Sequence, residues 1–110
     1  MEILVRDEQG FSVVSVSGRL DAGTAQELEN SCANLIAEGG RRFILNLAAL
    51  EYVSSAGLRS VLAVAKKLKP IEGSLALCGL SGLVQEVFTI SGFDSFLPMY
   101  DTIETALEKG

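Results

Sequence analysis

Two adjacent hydroxyls, Ser54 and Ser55, stand between an apolar run ending at Val53 and the segment Ala56-Gly57-Leu58-Arg59-Ser60-Val61-Leu62, which opens a helical pattern. A serine just before a helix can accept from the free N–H groups of the first turn. The same place favours an anion, because those donors and the positive end of the helix dipole converge on it. Two uses are therefore open to the pair: capping alone, or acceptance of a phosphoryl group on Ser54 or Ser55. Gly57 costs a helix about 1 kcal/mol relative to Ala. Its place in the first turn reads as a missing side chain that leaves the hydroxyls open to a visitor.

Other chemistry lacks its residues. The chain has no histidine, so neither serine has the usual base of a Ser-His-Asp triad. Val53-Ser54-Ser55-Ala56-Gly57 lacks the first glycine of a nucleophile elbow. There is no GxxxxGK[ST] loop and no GxGxxG fingerprint. Glu27 and Glu29 read as a solvated helix face. Cys32 and Cys78 are far apart, with no CxxC and no histidine to complete a metal set, and read as buried thiols in a reducing compartment. The expectation is a protein that is not an enzyme and has no cofactor and no metal.

A length of 110 residues supports one domain with its own core, residues 1–110. At 48% hydrophobic and 21% charged the chain is globular, and 6% aromatic with no Trp points to an aliphatic core. The formal net charge of −5 argues against direct nucleic-acid binding, which concentrates Lys and Arg to displace counterions. No apolar run approaches the roughly 20 residues that span a bilayer, so neither membrane insertion nor export is expected, and the chain reads as cytoplasmic.

The elements that position the serines follow from periodicity. Glu2 to Arg6 reads as a strand, Asp7-Glu8-Gln9-Gly10 as a turn, and Phe11 to Ser17 as the hairpin partner. One face of that second run is more apolar than the other, which predicts an outer position in the sheet. Gly18-Arg19-Leu20-Asp21 leads into a helix where Thr24-Ala25-Gln26-Glu27 has capping-box spacing and Ala25, Leu28, Cys32, Leu35 and Ile36 share a face. Asp21 has a structural use as a cap and a functional use beside the serines, and both stay open.

Arg42 to Leu47 reads as a central strand that delivers the Ser54-Ser55 loop. Leu58, Val61, Leu62, Ala65 and Leu68 form the inward stripe of the next helix, with Lys66, Lys67 and Lys69 at its end and Pro70 as its stop. Ser74 to Gly79 is a further strand. Ser81 is the expected cap of a helix carrying Val84, Val87 and Phe88 inward and stopping at Gly92. Phe96 to Tyr100 reads as an edge strand, and Asp101 to Glu104 opens a last helix. Alternation from Phe43 onward signals parallel strands with crossover helices, whose sites lie beyond the carboxyl ends of the strands.

The Gly18-Arg19-Leu20-Asp21-Ala22 element followed by Ser54-Ser55-Ala56-Gly57-Leu58 resembles the STAS domain of bacterial anti-sigma factor antagonists over nearly the whole chain. The resemblance implies a single-domain α/β fold with a mixed, mostly parallel sheet of four to five strands and about four helices. It implies phosphorylation of the serine two positions before the motif glycine, which is Ser55 here, with Ser54 as the alternative acceptor. Asp21, Ser54, Ser55, Ala56, Gly57 and Arg59 become the partner-binding residues. The implied partners are an anti-sigma factor that is also a serine kinase and a phosphatase acting on Ser55. Two positions depart from the family motif Asp-Ser-Ser/Thr-Gly-Leu: Ser54 replaces its Asp, and Ala56 its second hydroxyl residue. Those departures leave open a different use, as a constitutive adaptor subunit of a lipid-transport ABC complex or of a sensory assembly.

Overall fold

In the computed structural model, which describes residues 1–110, β1 (Glu2–Glu8) and β2 (Phe11–Leu20) form an antiparallel hairpin. Its Gln9-Gly10 turn has positive φ at both residues, 53° and 84°, the geometry that matches the twist of the flanking strands. β1 therefore runs on to Glu8, beyond the expected end at Arg6. The chain continues through α1 (Ala25–Ala37), β3 (Arg42–Asn46), β4 (Leu50–Val53), α2 (Ser55–Leu68), β5 (Ser74–Cys78), α3 (Gly82–Ile90), β6 (Met99–Tyr100) and α4 (Ile103–Lys109).

The sheet has the order β1-β2-β3-β5-β6 and is parallel except for the first pair. It is the mixed, mostly parallel α/β architecture expected, with four α-helices and six strands rather than four to five. The additional strand is β4, whose residues read from sequence as the approach to the serine loop. β4 pairs with the far end of β2, so one long strand serves two partners: Ser12–Ser15 run beside β3, and Gly18–Leu20 beside β4. The register shifts between Gly18 and Arg19, where Gly18 takes φ +85°, a conformation L side chains rarely adopt.

β2 is interior, not outer as its pattern predicted. Val14 and Val16 face the larger core together with Leu28 and Cys32 of α1 and Val61 and Val64 of α2. Phe11 and Val13 face a smaller core with Ile44, Ala76, Cys78 and Ala106, closed by Ile103 and Leu107 of α4. The second layer comes from the C-terminal end of the chain, and the local alternation of β2 carries no trace of it. The edge positions go to β1 and β6, the latter reduced to Met99 and Tyr100 from the expected five residues.

Helix ends correct three further expectations. The Thr24–Glu27 capping box does not form. Thr24 Oγ1 instead accepts from Asp21 N (2.9 Å) and donates to Arg19 O (2.9 Å), turning back toward the strand. Ser81 is extended before α3 but makes no side-chain cap bond, and the cap of α4 is Thr102 rather than the Asp101 of the box-like Asp101–Glu104 spacing: Thr102 Oγ1 accepts from Thr105 N (3.1 Å). α2 ends at Leu68, with Pro70 in the following turn and Lys66 and Lys67 in its last turn, as the spacing predicted. Its buried face is Gly57, Ser60, Val61, Val64 and Leu68, rotated from the predicted stripe so that Leu58, Leu62 and Ala65 are half-buried. The rotation brings the side-chain-free position of Gly57 down onto the sheet.

Candidate functional site

The site begins with a pairing. β2 and β4 run parallel with Leu20 opposite Val53, so the next residues, Asp21 and Ser54, leave the carboxyl ends of adjacent strands together. Neighbouring strands lie about 4.8 Å apart, and a further bond holds this pair: Ser54 N donates to Leu20 O at 3.0 Å. Asp21 and the serine loop thus emerge side by side, as expected.

The two hydroxyls have different environments. Ser54 is the N-cap of α2, extended at φ −99° and ψ 175°, and its Oγ accepts from Gly57 N at 3.1 Å. Its carbonyl accepts the first helical bond from Leu58 N at 2.9 Å. Ser55 is the first helical residue; it is exposed, and its hydroxyl has no bond within the protein. One serine builds the helix start and the other is presented by it. No acidic residue stands in the first turn of α2 to oppose an anion there.

Gly57 differs from its sequence reading. It is buried, and the close approach it permits is internal: a Cβ built there would overlap Leu20 O and lie 2.9 Å from Val53 Cγ2 and 3.0 Å from Leu20 Cγ. The glycine lets the first turn of α2 rest on the end of β2, and it supports the loop from beneath without meeting a visitor. Ser60 Oγ, also buried, bonds back to Gly57 O at 2.6 Å. Ala56 is half-buried, whereas Arg59 is exposed one turn beyond Ser55 on the same helix face.

Asp21 has its structural use. Its Oδ1 accepts from Gly23 N at 3.0 Å, and its carbonyl accepts from Ala25 N at 2.8 Å, so it turns the chain into α1. Its Oδ2 stays toward solvent, 3.7 Å from Arg19 Nε. The Arg19 guanidinium lies over the Tyr52 ring at 4.1 Å from its centroid, the two residues being cross-strand partners. The sequence alone carries no signal for this pair, because it depends on β4 lying beside the end of β2.

Beyond Tyr52 the surface turns apolar. Tyr52 and Val53 with Leu83, Val84, Val87 and Ile90 line a shallow groove of about 310 Å³ between β4 and α3, and Leu83 and Ile90 are 79% and 85% exposed. Glu51 and Glu86 stand at its rim. In the sequence of α3 the signal for this groove is Leu83 and Ile90, which fall outside the inward stripe of Val84, Val87 and Phe88. The cysteines lie away from this surface on opposite faces of the sheet, and burial pushes both thiols up to about 11. For Cys78 the Glu104 carboxylate adds to that rise, and for Cys32 Lys67 opposes it. No helix is long and apolar enough to cross a membrane.

Comparison with known proteins agrees with this architecture. The STAS domain family profile matches residues 2–106. The Bordetella bronchiseptica protein named "Putative anti-sigma factor antagonist BtrV" is 41% identical over 106 residues, 96% of this chain and 91% of its own length. The crystal structure of an anti-sigma factor antagonist from Mycobacterium paratuberculosis has a TM-score of 0.89 at 32% identity, over 97% of this chain and 91% of that one. Phosphorylated SpoIIAA from Bacillus shares the fold at 23% identity, with a TM-score of 0.77 over 98% of both chains. With a family match spanning nearly all its residues and relatives covered almost end to end, the chain belongs to the STAS domain family.

Proposed function

We propose that this chain is an anti-sigma factor antagonist, a cytoplasmic binding protein rather than an enzyme, whose affinity for an anti-sigma factor is switched by phosphorylation of Ser55. The partner is an anti-sigma factor that is itself a serine kinase. It transfers the γ-phosphoryl group of ATP to Ser55 Oγ and releases ADP, and a phosphatase returns the serine by hydrolysis. The unmodified protein holds the anti-sigma factor and so frees a sigma factor for transcription. The names carried by the relatives favour this reading over a constitutive adaptor.

The observation that carries the choice of acceptor is the division of labour between the hydroxyls: Ser54 Oγ is engaged by Gly57 N, while Ser55 is exposed at the first helical position. Asp21, Arg59 and Ala56 surround that position as partner contacts, with Gly57 acting from beneath. Energetically the switch needs no change of fold. A phosphate brings about −1.5 to −2 charges, and an unpaired charge buried in an interface costs on the order of 2–5 kcal/mol. Inverting a 1:99 equilibrium takes about 5.5 kcal/mol, so one phosphoserine supplies most of it.

The test is binding of Ser55→Asp and Ser55→Ala to the anti-sigma factor, with fragment mass spectrometry of the native protein across growth conditions. Ser55→Ala retains affinity and Ser55→Asp loses it at least about tenfold, roughly 1.4 kcal/mol. Equal affinity of the two variants removes the Ser55 switch, and phosphate found only on Ser54 moves the acceptor.

A further inference from the structure

β1 closes one end of the sheet, so its outer row of backbone N–H and C=O groups has no strand beside it. Edges of this kind are usually blunted by charge, proline or brevity. β1 is seven residues long and has no proline; its charges, Glu2, Arg6, Asp7 and Glu8, flank a central Ile3-Leu4-Val5 in which Leu4 is 62% exposed and Val5 45% exposed on opposite faces. We propose that two copies of this chain associate edge to edge through β1, antiparallel, in the register that sets Leu4 opposite Leu4 of the second copy.

The register follows from the order of residues. A two-fold axis perpendicular to the sheet keeps the faces of both copies aligned and pairs residues of the same parity. Centred on Leu4, it places Glu2 opposite Arg6 of the second copy and Arg6 opposite its Glu2, on the same face as the two leucines. On the other face, Ile3 meets Val5 and Val5 meets Ile3. From Glu2 to Arg6 every facing pair is then apolar with apolar or opposite in charge, the combinations that stabilise a ladder, while Asp7 falls opposite Met1.

The neighbouring symmetric registers lack this property. Centring on Val5 sets Glu2 against Glu8, Ile3 against Asp7 and Leu4 against Arg6, and centring on Arg6 sets that arginine against itself. The charges of β1 thus discourage slipped pairings while completing one. Arg6, already 2.8 Å from Glu8 in its own strand, would bridge two carboxylates. The second copy is the occupant this edge fits, because Glu2 and Arg6 complement each other across the axis and the residues between them are apolar.

Sedimentation equilibrium from micromolar to millimolar concentration tests the proposal, with folding of each variant followed by circular dichroism. The unaltered chain shows a reversible dimer that weakens as salt rises, since exposed ion pairs are screened. Arg6→Glu, which sets glutamates against one another twice, raises the dissociation constant at least about tenfold, and Leu4→Lys does the same. The double variant Glu2→Arg with Arg6→Glu reverses both members of each pair and recovers most of the affinity lost in Arg6→Glu. A chain monomeric throughout, an Arg6→Glu dimer of unchanged affinity, or a folded double variant as weak as Arg6→Glu overturns the proposal.

Discussion

Replacing Gly57 with Ala separates what a helix prefers from what this site requires. On propensity alone the substitution stabilises, by up to about 1 kcal/mol in a helix interior and less in a first turn. The structure reverses the sign. The new methyl would overlap Leu20 O and stand 2.9 Å from Val53 Cγ2 and 3.0 Å from Leu20 Cγ. The carbonyl cannot swing aside, because it belongs to a fully buried residue paired with β4 and accepts Ser54 N at 3.0 Å. Overpacking of this kind costs typically 1–3 kcal/mol.

Set against the propensity gain, the net loss is about 1 kcal/mol, or a fall in Tm of roughly 4–8 °C for a domain near this size. Urea unfolding followed by far-ultraviolet circular dichroism measures it, and an unchanged slope shows that stability alone has moved. Amide exchange adds a local reading: the Ser54 N–H, bonded to the displaced carbonyl, accelerates more than amides in the middle of α2. A Gly57→Ala protein as stable as the parent, or more stable, refutes the packing argument and leaves Gly57 to its first reading as an opening for a visitor.

Three further outcomes follow, one from the same geometry and two from the buried thiols. Ser54→Ala removes the acceptor of Gly57 N and costs about 1 kcal/mol by urea unfolding, while Ser55→Ala, which breaks no intramolecular bond, stays within about 0.5 kcal/mol of the parent. The buried thiols react slowly with a disulfide reagent at pH 8 until the protein unfolds, because burial pushes both up to about 11 and keeps them protonated. Their contribution to stability is complete below the unfolded thiol value near 9 and declines as pH rises from there toward 11, since only the unfolded chain releases the protons in that interval. A Tm flat across that range in a Cys32→Ser, Cys78→Ser protein but falling in the parent assigns the decline to these groups.

Local signals were the legible ones. The end of α2 before Pro70 and the helix start at Ser54 rest on residues within one turn of each other, and each is where its residues predict it; the Asp7–Gly10 turn narrows to Gln9-Gly10, and the last cap falls on Thr102, one residue past Asp101. The misreadings lie where a distant segment decides. The pattern of β2 cannot report that α4 will cover its second face, and Leu50-Glu51-Tyr52-Val53, buried only at its two ends, shows no period-two alternation to mark a strand. Thr24 had the right spacing for a box with Glu27 but found nearer partners at Arg19 and Asp21 once the bulge at Gly18 had set their position. At the site, the serines were visible as a pair. Which one caps and which one is presented depends on the extended backbone of Ser54, and that is set by pairing with β2.

Leu20 joins the two motif elements into one unit. Its carbonyl accepts Ser54 N and bears the first turn of α2 at Gly57, while the next residue, Asp21, turns the chain into α1. The loop is therefore held from two sides and has little freedom to withdraw a group attached to Ser55. A phosphate there must remain at the surface, where the start of α2 favours it by about 0.3–1 kcal/mol. The modified protein accordingly keeps its fold and its stability, and the cost of the charge falls on any partner that would bury it. An acceptor on a pliant loop would move aside and share that cost. In the proposed switch, rigidity built from Leu20, Ser54 and Gly57 would convert a phosphate on Ser55 into a difference in affinity, so loosening the contact at Gly57 reduces the gap between the Ser55→Ala and Ser55→Asp affinities even where the protein remains folded.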